Sequence, residues 1–280
     1  EQYYKQVYIV GAYEVVQQFD VAYGDGPQNA YVAVATGGSQ NIDRNVEVVL
    51  THNDATIEWY NNKYMLDAPL KYQKLDDQFC SFPSMSTTIK AGDVYSRLPF
   101  TVETSELDCD KLYALTFKIE SVSNFVKQPK DTVLIMNLNM TNDFSGTYQM
   151  VAIRYTLTDN DEELTPSSVN MQRTLKAVNK DQVRFFNVTQ NSDLSPTGNI
   201  TSEDYFNSID NNGVTFTRQP DGTFTVAGWK NLPVSNGTVS FEDGTFTFCY
   251  DYESGGKRYR LRGTMTVSYT HLTLPTNSRV

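Results

Sequence analysis

Between residues 212 and 266, apolar and polar side chains alternate with a period of two. Phe216, Phe224, Val226, Val239, Phe241, Phe246, Phe248, Tyr250, Tyr252, Tyr259 and Leu261 fall on one face. Thr215, Thr217, Thr223, Thr225, Thr238, Ser240, Thr245, Thr247, Arg258, Arg260 and Arg262 fall on the other. Such alternation predicts antiparallel strands with one face in a core and one in water. Turn signals punctuate the pattern at Pro220-Asp221-Gly222, Asn236-Gly237, Asp243-Gly244 and Gly255-Gly256, and supply the positive φ that tight hairpins demand. Parity then sets the registers. A two-residue loop at Asp243-Gly244 pairs Phe241 with Phe246 and Val239 with Phe248. A three-residue loop at Pro220-Asp221-Gly222 pairs Phe216 with Val226 and Thr217 with Thr225, and requires a left-handed Gly222. With "GTYQMVAIRYTLT", "MQRTLKAV" and "QVRFFNV" added, about eight strands are expected over residues 144–266, enough for a small antiparallel barrel (calycin-like) or a sandwich.

The first half reads as shorter strands between polar turns: "KQVYIV", "VVQQFDVAY", "AYVAVAT", "NVEVVLT", "STTIKA", "SRLPFTVE", "LYALTFKIE" and "TVLIMNLN". One short helix interrupts them at "THNDATIEWYNN", with Asn53 or Asp54 as its cap, leading to Trp59 and Tyr60. Strands without a long helix predict an immunoglobulin-like β-sandwich over residues 1–140, and "MTNDFSG" is a polar junction to the second domain. The chain is thus expected to be all-β.

The last strand runs into "VSYTHLTLPTNSRV", which alternates with nothing. Back-translated, Val267 to Thr276 spell a transposase adapter used in sequencing libraries, and residues 267–280 therefore resemble adapter read-through rather than native sequence. On that reading His271 is foreign and the native C-terminus is missing. The chain begins at Glu1 rather than Met, so any signal peptide or lipid-bearing cysteine upstream lies outside this sequence.

Composition narrows the function. With 23 Lys+Arg against 33 Asp+Glu, the chain lacks the basic face that nucleic acid requires. No apolar run is long enough to span a membrane. Of three cysteines, Cys80 and Cys109 are able to pair, leaving Cys249 in a strand; no CxxC or histidine partner supports a metal. One native histidine, His52, removes most nucleophilic triads and histidine-rich metal sites, and a strand-end role bonding the next turn is expected instead.

The carboxylates at Asp76-Asp77 and in "TDNDEE" sit side by side rather than across a cleft, so glycosidase chemistry is not indicated. Asp159, Asp161 and Glu163 alternate as calcium ligands do, but the glycine and bidentate glutamate of an EF-hand are missing and a solvated loop is expected. The stripe Arg258, Arg260, Arg262 is expected to pair with Asp251 and Glu253 across a hairpin. Asn139, Asn187, Asn199 and Asn236 begin Asn-x-Ser/Thr triplets, as chance produces in a Thr- and Asn-rich chain. The remaining candidates are aromatic: Trp229, Trp59, Tyr60 and Tyr64 offer flat apolar faces to a pyranose ring, with ordinary packing as the competing reading. By alternation Trp229 belongs with Thr223, Thr225 and Ala227 on the wet face and is the strongest; Trp59 is weaker, because a short helix must bury something. No cofactor is implied, and catalytic and metal residues are assigned to none.

"WYNNKYML" (59–66), "STTIKAGDVYSRLPFTV" (86–102) and "LDCDKLYALTFKIESVS" (107–123) resemble domain of unknown function 1735 of Bacteroidetes surface lipoproteins, although Leu115-Thr116 departs from its usual Leu-Pro. The second half, opening at "FSGTYQM", is similar to the companion domain of unknown function 4361. The resemblance implies a lipid-anchored protein at the cell surface or outer membrane, associated with polysaccharide utilisation. Its partners would be glycan or other surface-complex proteins, and the membrane would be met only through an N-terminal anchor. Some relatives place this module before an endo-glycosidase domain; none follows here, so a non-catalytic glycan-binding or adhesion module is expected. The alternatives are a small-molecule carrier using the barrel and an accessory fragment of a glycan-active enzyme.

Overall fold

The structure, a computed structural model, describes residues 5–12, 16–38, 40–129 and 132–268. It is all-β, interrupted by two α-helices among the described residues, and divides into two compact units after Met140, with Pro196–Asn199 counted in the first.

The first unit contains β1 (Gln6–Ile9), β2 (Val16–Ala22), β3 (Pro27–Thr36), β4 (Val46–Thr51), α1 (Ala55–Tyr64), β5 (Tyr72–Lys74), β6 (Cys80–Ser81), β7 (Ser86–Ile89), β8 (Tyr95–Glu103), β9 (Leu112–Val122), β10 (Val126–Lys127) and β11 (Leu134–Thr141). One sheet runs β10-β1-β3-β8-β6 and the other β2-β11-β9-β4-β7, with β5 added to β9. Strand alternation directs Val32, Val34, Leu98 and Phe100 inward, and their neighbours Tyr31, Ala33 and Arg97 outward, because cross-strand partners share a face. Phe82 stacks on Phe100 at 4.6 Å between ring centroids, and Phe100 and Phe117 are buried beneath. This is the expected sandwich.

The second unit contains β12 (Gly146–Leu157), β13 (Glu163–Asn179), β14 (Gln182–Phe186), α2 (Ser202–Asn212), β15 (Gly213–Arg218), β16 (Phe224–Gly228), β17 (Val234–Glu242), β18 (Thr245–Ser254) and β19 (Lys257–Val267). Its eight strands pair in sequence order and close, β19 returning to β12, so the barrel alternative is the one adopted. Phe241 faces Phe246 and Val239 faces Phe248; Phe216 faces Val226, Thr217 faces Thr225, and Gly222 has φ +85°. Asp243 and Gly244, both at positive φ, make the two-residue hairpin that alternation demands.

Asn236-Gly237 behaves otherwise. It is not a hairpin turn but a register shift inside β17, between Ser235 and Thr238. Asn236 spends its positive φ on a bulge, and a Cβ on Gly237 would lie 2.2 Å from Val226 Cγ1. The connection from β16 to β17 instead uses residues 229–233. The helix α2 was not expected. Thr201 caps it through Oγ1, which accepts from Asp204 N at 3.1 Å, and Tyr205 and Ile209, one turn apart, are buried.

Of the adapter-like tail, Val267 ends β19 and Ser268 donates to Thr147 O at 2.8 Å, continuing the ladder. Residues 269–280 lie outside the described residues, as does His271.

Candidate functional site

Helix α1 turns Ile57 and, two turns on, Met65 into the first unit, where both are buried. Tyr60 is half-buried and packs 5.8 Å from Tyr72. With those side chains holding the helix down, Trp59 faces out at 48% exposure and Tyr64 at 56%. A short helix must bury something, and here Ile57, with Met65 at the C-cap, supplies that buried surface and leaves Trp59 exposed. Tyr64 lies 6.0 Å from Trp59 in an edge-to-face arrangement and 4.9 Å from Tyr60, so the three rings form one patch. Lys63 Nζ stands 5.0 Å from the Trp59 ring centroid and 5.1 Å from that of Tyr64. Leu66, 72% exposed, extends the apolar surface.

A groove of about 370 Å³ runs along the same helix, lined by Asp54, Glu58, Asn62, Gln73 and Lys74 among others. Asp54 occupies the N-cap position without capping through its side chain; the carboxylate instead accepts from Thr116 Oγ1 at 2.9 Å and meets Lys74 at 3.3 Å. Asn61 donates to Tyr72 O at 2.8 Å and accepts from Tyr72 N at 3.0 Å, fixing the helix to β5. The hydrogen-bonding groups of Glu58, Asn62 and Gln73 remain for a ligand beside the rings.

Trp229 is in a different unit, so the four aromatic candidates are not one site. Its face is the predicted outer one, with Thr225 and Ala227 exposed, but its ring is not free. The Arg184 guanidinium stacks over it at 4.7 Å, and Arg184 is itself buried at 5% exposure. The predicted open platform at Trp229 is therefore corrected to a half-buried ring that covers a cation.

The other polar candidates are absorbed by the fold. His52 Nδ1 is 2.7 Å from Thr116 O, on β9 rather than in the following turn. Cys80, Cys109 and Cys249 are free thiols, so the possible bridge is not formed. Asp108, Cys109 and Asp110 bring ligand atoms within 4.8 Å of one another, in a turn where Asp108 Oδ1 already accepts from Asp110 N. The arginine stripe departs from the expected pairing. Arg260 does hold Asp251, through Nε at 2.7 Å and Nη2 at 3.0 Å. Arg258 binds Asp161 at 2.5 Å rather than Glu253, and Arg262 binds Glu163. Glu163 reaches the stripe because β13 and β19 both flank β12. Asp161 and Glu163, read as a solvated loop, are thus ion-paired.

A carrier would need a hollow barrel. Instead Phe216, Phe246, Phe248 and Tyr250 are fully or almost fully buried inside it, with successive ring centroids 5.0 to 5.9 Å apart. Burial raises the Tyr250 hydroxyl well above its ordinary pKa, and the hydroxyl donates to Asn187 Oδ1 at 2.8 Å. The end of the barrel is held by Arg173, which has no exposed surface. Its guanidinium donates to the Asn187 and Gln190 carbonyls and lies 3.4 Å from Asp193 Oδ1. These contacts describe a packed core.

An immunoglobulin-like sandwich with displayed rings, followed by a filled eight-stranded barrel, defines a two-domain β scaffold. A family model for an N-terminal domain matches residues 3–126, and one for a C-terminal domain matches residues 132–266; the chain carries both, in that order. A multidomain protein including DUF1735 from Bacteroides ovatus is 14% identical, covers 92% of this chain and 93% of its own, and superposes with a TM-score of 0.59. A second Bacteroides ovatus protein, of unknown function, is 17% identical over 94% of this chain and 93% of its own, with a TM-score of 0.61. An auxiliary nutrient binding protein from Bacteroides thetaiotaomicron is 17% identical over 91% of each chain, with a TM-score of 0.59. The chain therefore shares its two-domain fold with Bacteroides proteins. No curated protein matches it significantly.

Proposed function

We propose that the protein is a non-catalytic surface module that binds glycan on the α1 patch and is tethered by a lipid anchor upstream of Glu1. The observation that carries this reading is the pair of rings Trp59 and Tyr64, 48% and 56% exposed on a helix secured by other residues. Large exposed aromatic surface beside unspent amides suits a ligand that offers apolar C–H faces ringed by hydroxyls. The fold is also that of a protein described as an auxiliary nutrient binding protein, so the scaffold is compatible with such a role. No helix among the described residues is long and apolar enough to cross a membrane.

The test is a glycan array followed by calorimetry on the full chain. Trp59→Ala is expected to weaken binding by about 1–3 kcal/mol, or roughly 5- to 150-fold, as for a contact hot spot. Trp229→Ala is expected to leave affinity unchanged, because its ring is occupied by Arg184. Undiminished affinity in Trp59→Ala with a loss in Trp229→Ala would move the site to the barrel and sink the assignment.

A further inference from the structure

A second groove, remote in sequence from α1, is lined by residues of β3 and β8 from one sheet and of β2 and β11 from the other. Its volume is about 510 Å³, and Phe19, Tyr31, Tyr95, Arg97, Gln17 and Gln18 contribute to its walls. A second hollow of about 510 Å³, with Asn41 and Asp93 in its lining, shares Tyr95 with the first. Tyr95 thus lines both cavities, is 55% exposed, and has no ring contact among the described residues. Phe19 meets Tyr31 edge-on at 5.2 Å, which leaves both rings along one wall. A groove of this size with convergent polar groups is the usual form of a ligand site.

Arg97 decides what the ligand carries. Its guanidinium lies 4.1 Å from the Tyr31 ring centroid, oriented by that contact. It makes no ion pair and no side-chain hydrogen bond among the described residues, unlike Arg173, Arg218, Arg258, Arg260 and Arg262, each of which meets a carboxylate. The Gln17 amide and the Tyr31 and Tyr95 hydroxyls likewise have no hydrogen-bond partner within the described chain. A stacked guanidinium keeps its edge N–H groups in a fixed fork that matches a carboxylate or sulfate. In a chain of net charge -10, such an unpaired, held cation is selective for a local anion rather than a general attraction.

We propose that this groove binds a saccharide chain bearing an anionic substituent, uronate or sulfate, with Arg97 holding the anion and Tyr95 stacking on a neighbouring ring. The site is independent of the α1 patch.

The test is calorimetry on the full chain with three probes: an oligouronate, a sulfated oligosaccharide, and a neutral oligosaccharide of the same linkage. At least one anionic probe is expected to bind tenfold or more tightly than the neutral one. Arg97→Gln should reduce that probe to the neutral level, Arg97→Lys should restore part of the preference, and Tyr95→Ala should weaken the anionic probe as well. Trp59→Ala should leave the affinity for the anionic probe unchanged, whatever it does to a neutral glycan at the α1 patch. Thermal melts on each variant confirm folding; Arg97 and Tyr95 are exposed side chains, so both variants are expected to fold. Equal binding of anionic and neutral probes, no binding of any, or a preference that survives Arg97→Gln overturns the proposal. A preference abolished by Trp59→Ala alone also overturns it, and returns the anionic ligand to the helix.

Discussion

Arg173 gives the sharpest test of how the barrel is held together. Substituting it with alanine removes a cation from a site without solvent exposure and strands the acceptors it serves. The Asn187 carbonyl, 3.2 Å from Nη2, and the Gln190 carbonyl both lose their donor. An orphaned buried carbonyl costs about 1–3 kcal/mol, and a cavity is added. Asp193 is 30% exposed and still accepts from Thr174 N at 2.8 Å, so water and the backbone compensate part of its loss. Removing one partner of a fully buried pair costs about 3–5 kcal/mol; the exposure of Asp193 places Arg173→Ala near 3–4. Arg173→Met refills most of the volume but leaves the carbonyls bare, and should cost about 1 kcal/mol less. The assay exploits the two tryptophans, one in each unit. In a Trp59→Phe background, the fluorescence of Trp229 reports the barrel alone, which avoids averaging two transitions. With a urea slope of about 2 kcal/mol/M, Arg173→Ala should lower the midpoint by about 1.5–2 M. A shift below about 0.5 M at unchanged slope would show that water replaces the guanidinium without penalty, and the reasoning fails.

Two further predictions concern β19, the strand that closes the barrel. A Cβ on Gly263 would lie 2.3 Å from Val151 O and 2.5 Å from Ala152 Cα, both backbone atoms, so Gly263→Val should destabilise the barrel by about 1–3 kcal/mol in the same urea assay, whereas a neutral result would mean the strands part easily. Asp251 is 1% exposed; burial raises its pKa, but the hydrogen bonds from Arg260 and Asn236 outweigh that and hold it below its ordinary 3.8. Its contribution is therefore present above pH ~4 and is lost as pH falls through the lower folded value. Urea midpoints measured from pH 6 to pH 2 should fall in acid less steeply for Asp251→Asn than for the parent; parallel curves would refute this.

Much of the barrel was legible because alternation is a local property. Phe241, Phe246, Phe216 and Val226 needed only parity and a turn to find their partners. Asn236-Gly237 misled because the same dipeptide serves a hairpin or a bulge, and only Val226 across the sheet decides. The helix α2 has two buried apolar residues in a run of Asp, Asn and Ser, too few to stand out from a loop, although Thr201 and Asp204 mark its start. Arg173 was visible in principle: it interrupts the inward series Met171, Leu175, Ala177, where a charge demands a reason. The contact of Arg184 with Trp229 joins strands far apart in the chain, and no local pattern announces it. For the same reason the groove of Phe19, Tyr31 and Arg97 was missed, since parity says each points outward but not that they converge. At α1 the phase of Ile57 and Met65 was enough to free Trp59, had the helix been read to its full length.

Closure of the barrel has a consequence for biosynthesis. Gln149, near the start of the second unit, pairs with Thr266 on the last strand, β19. A ribosome or a secretion channel delivers those strands in order, so the nascent unit exposes the free edge of β12 until β19 has emerged. Seven strands can form hairpins in that interval, but none can complete the cylinder. The last strand to appear therefore sets the moment at which the domain becomes safe from pairing with a neighbouring chain, and a pause or truncation before it leaves an adhesive intermediate.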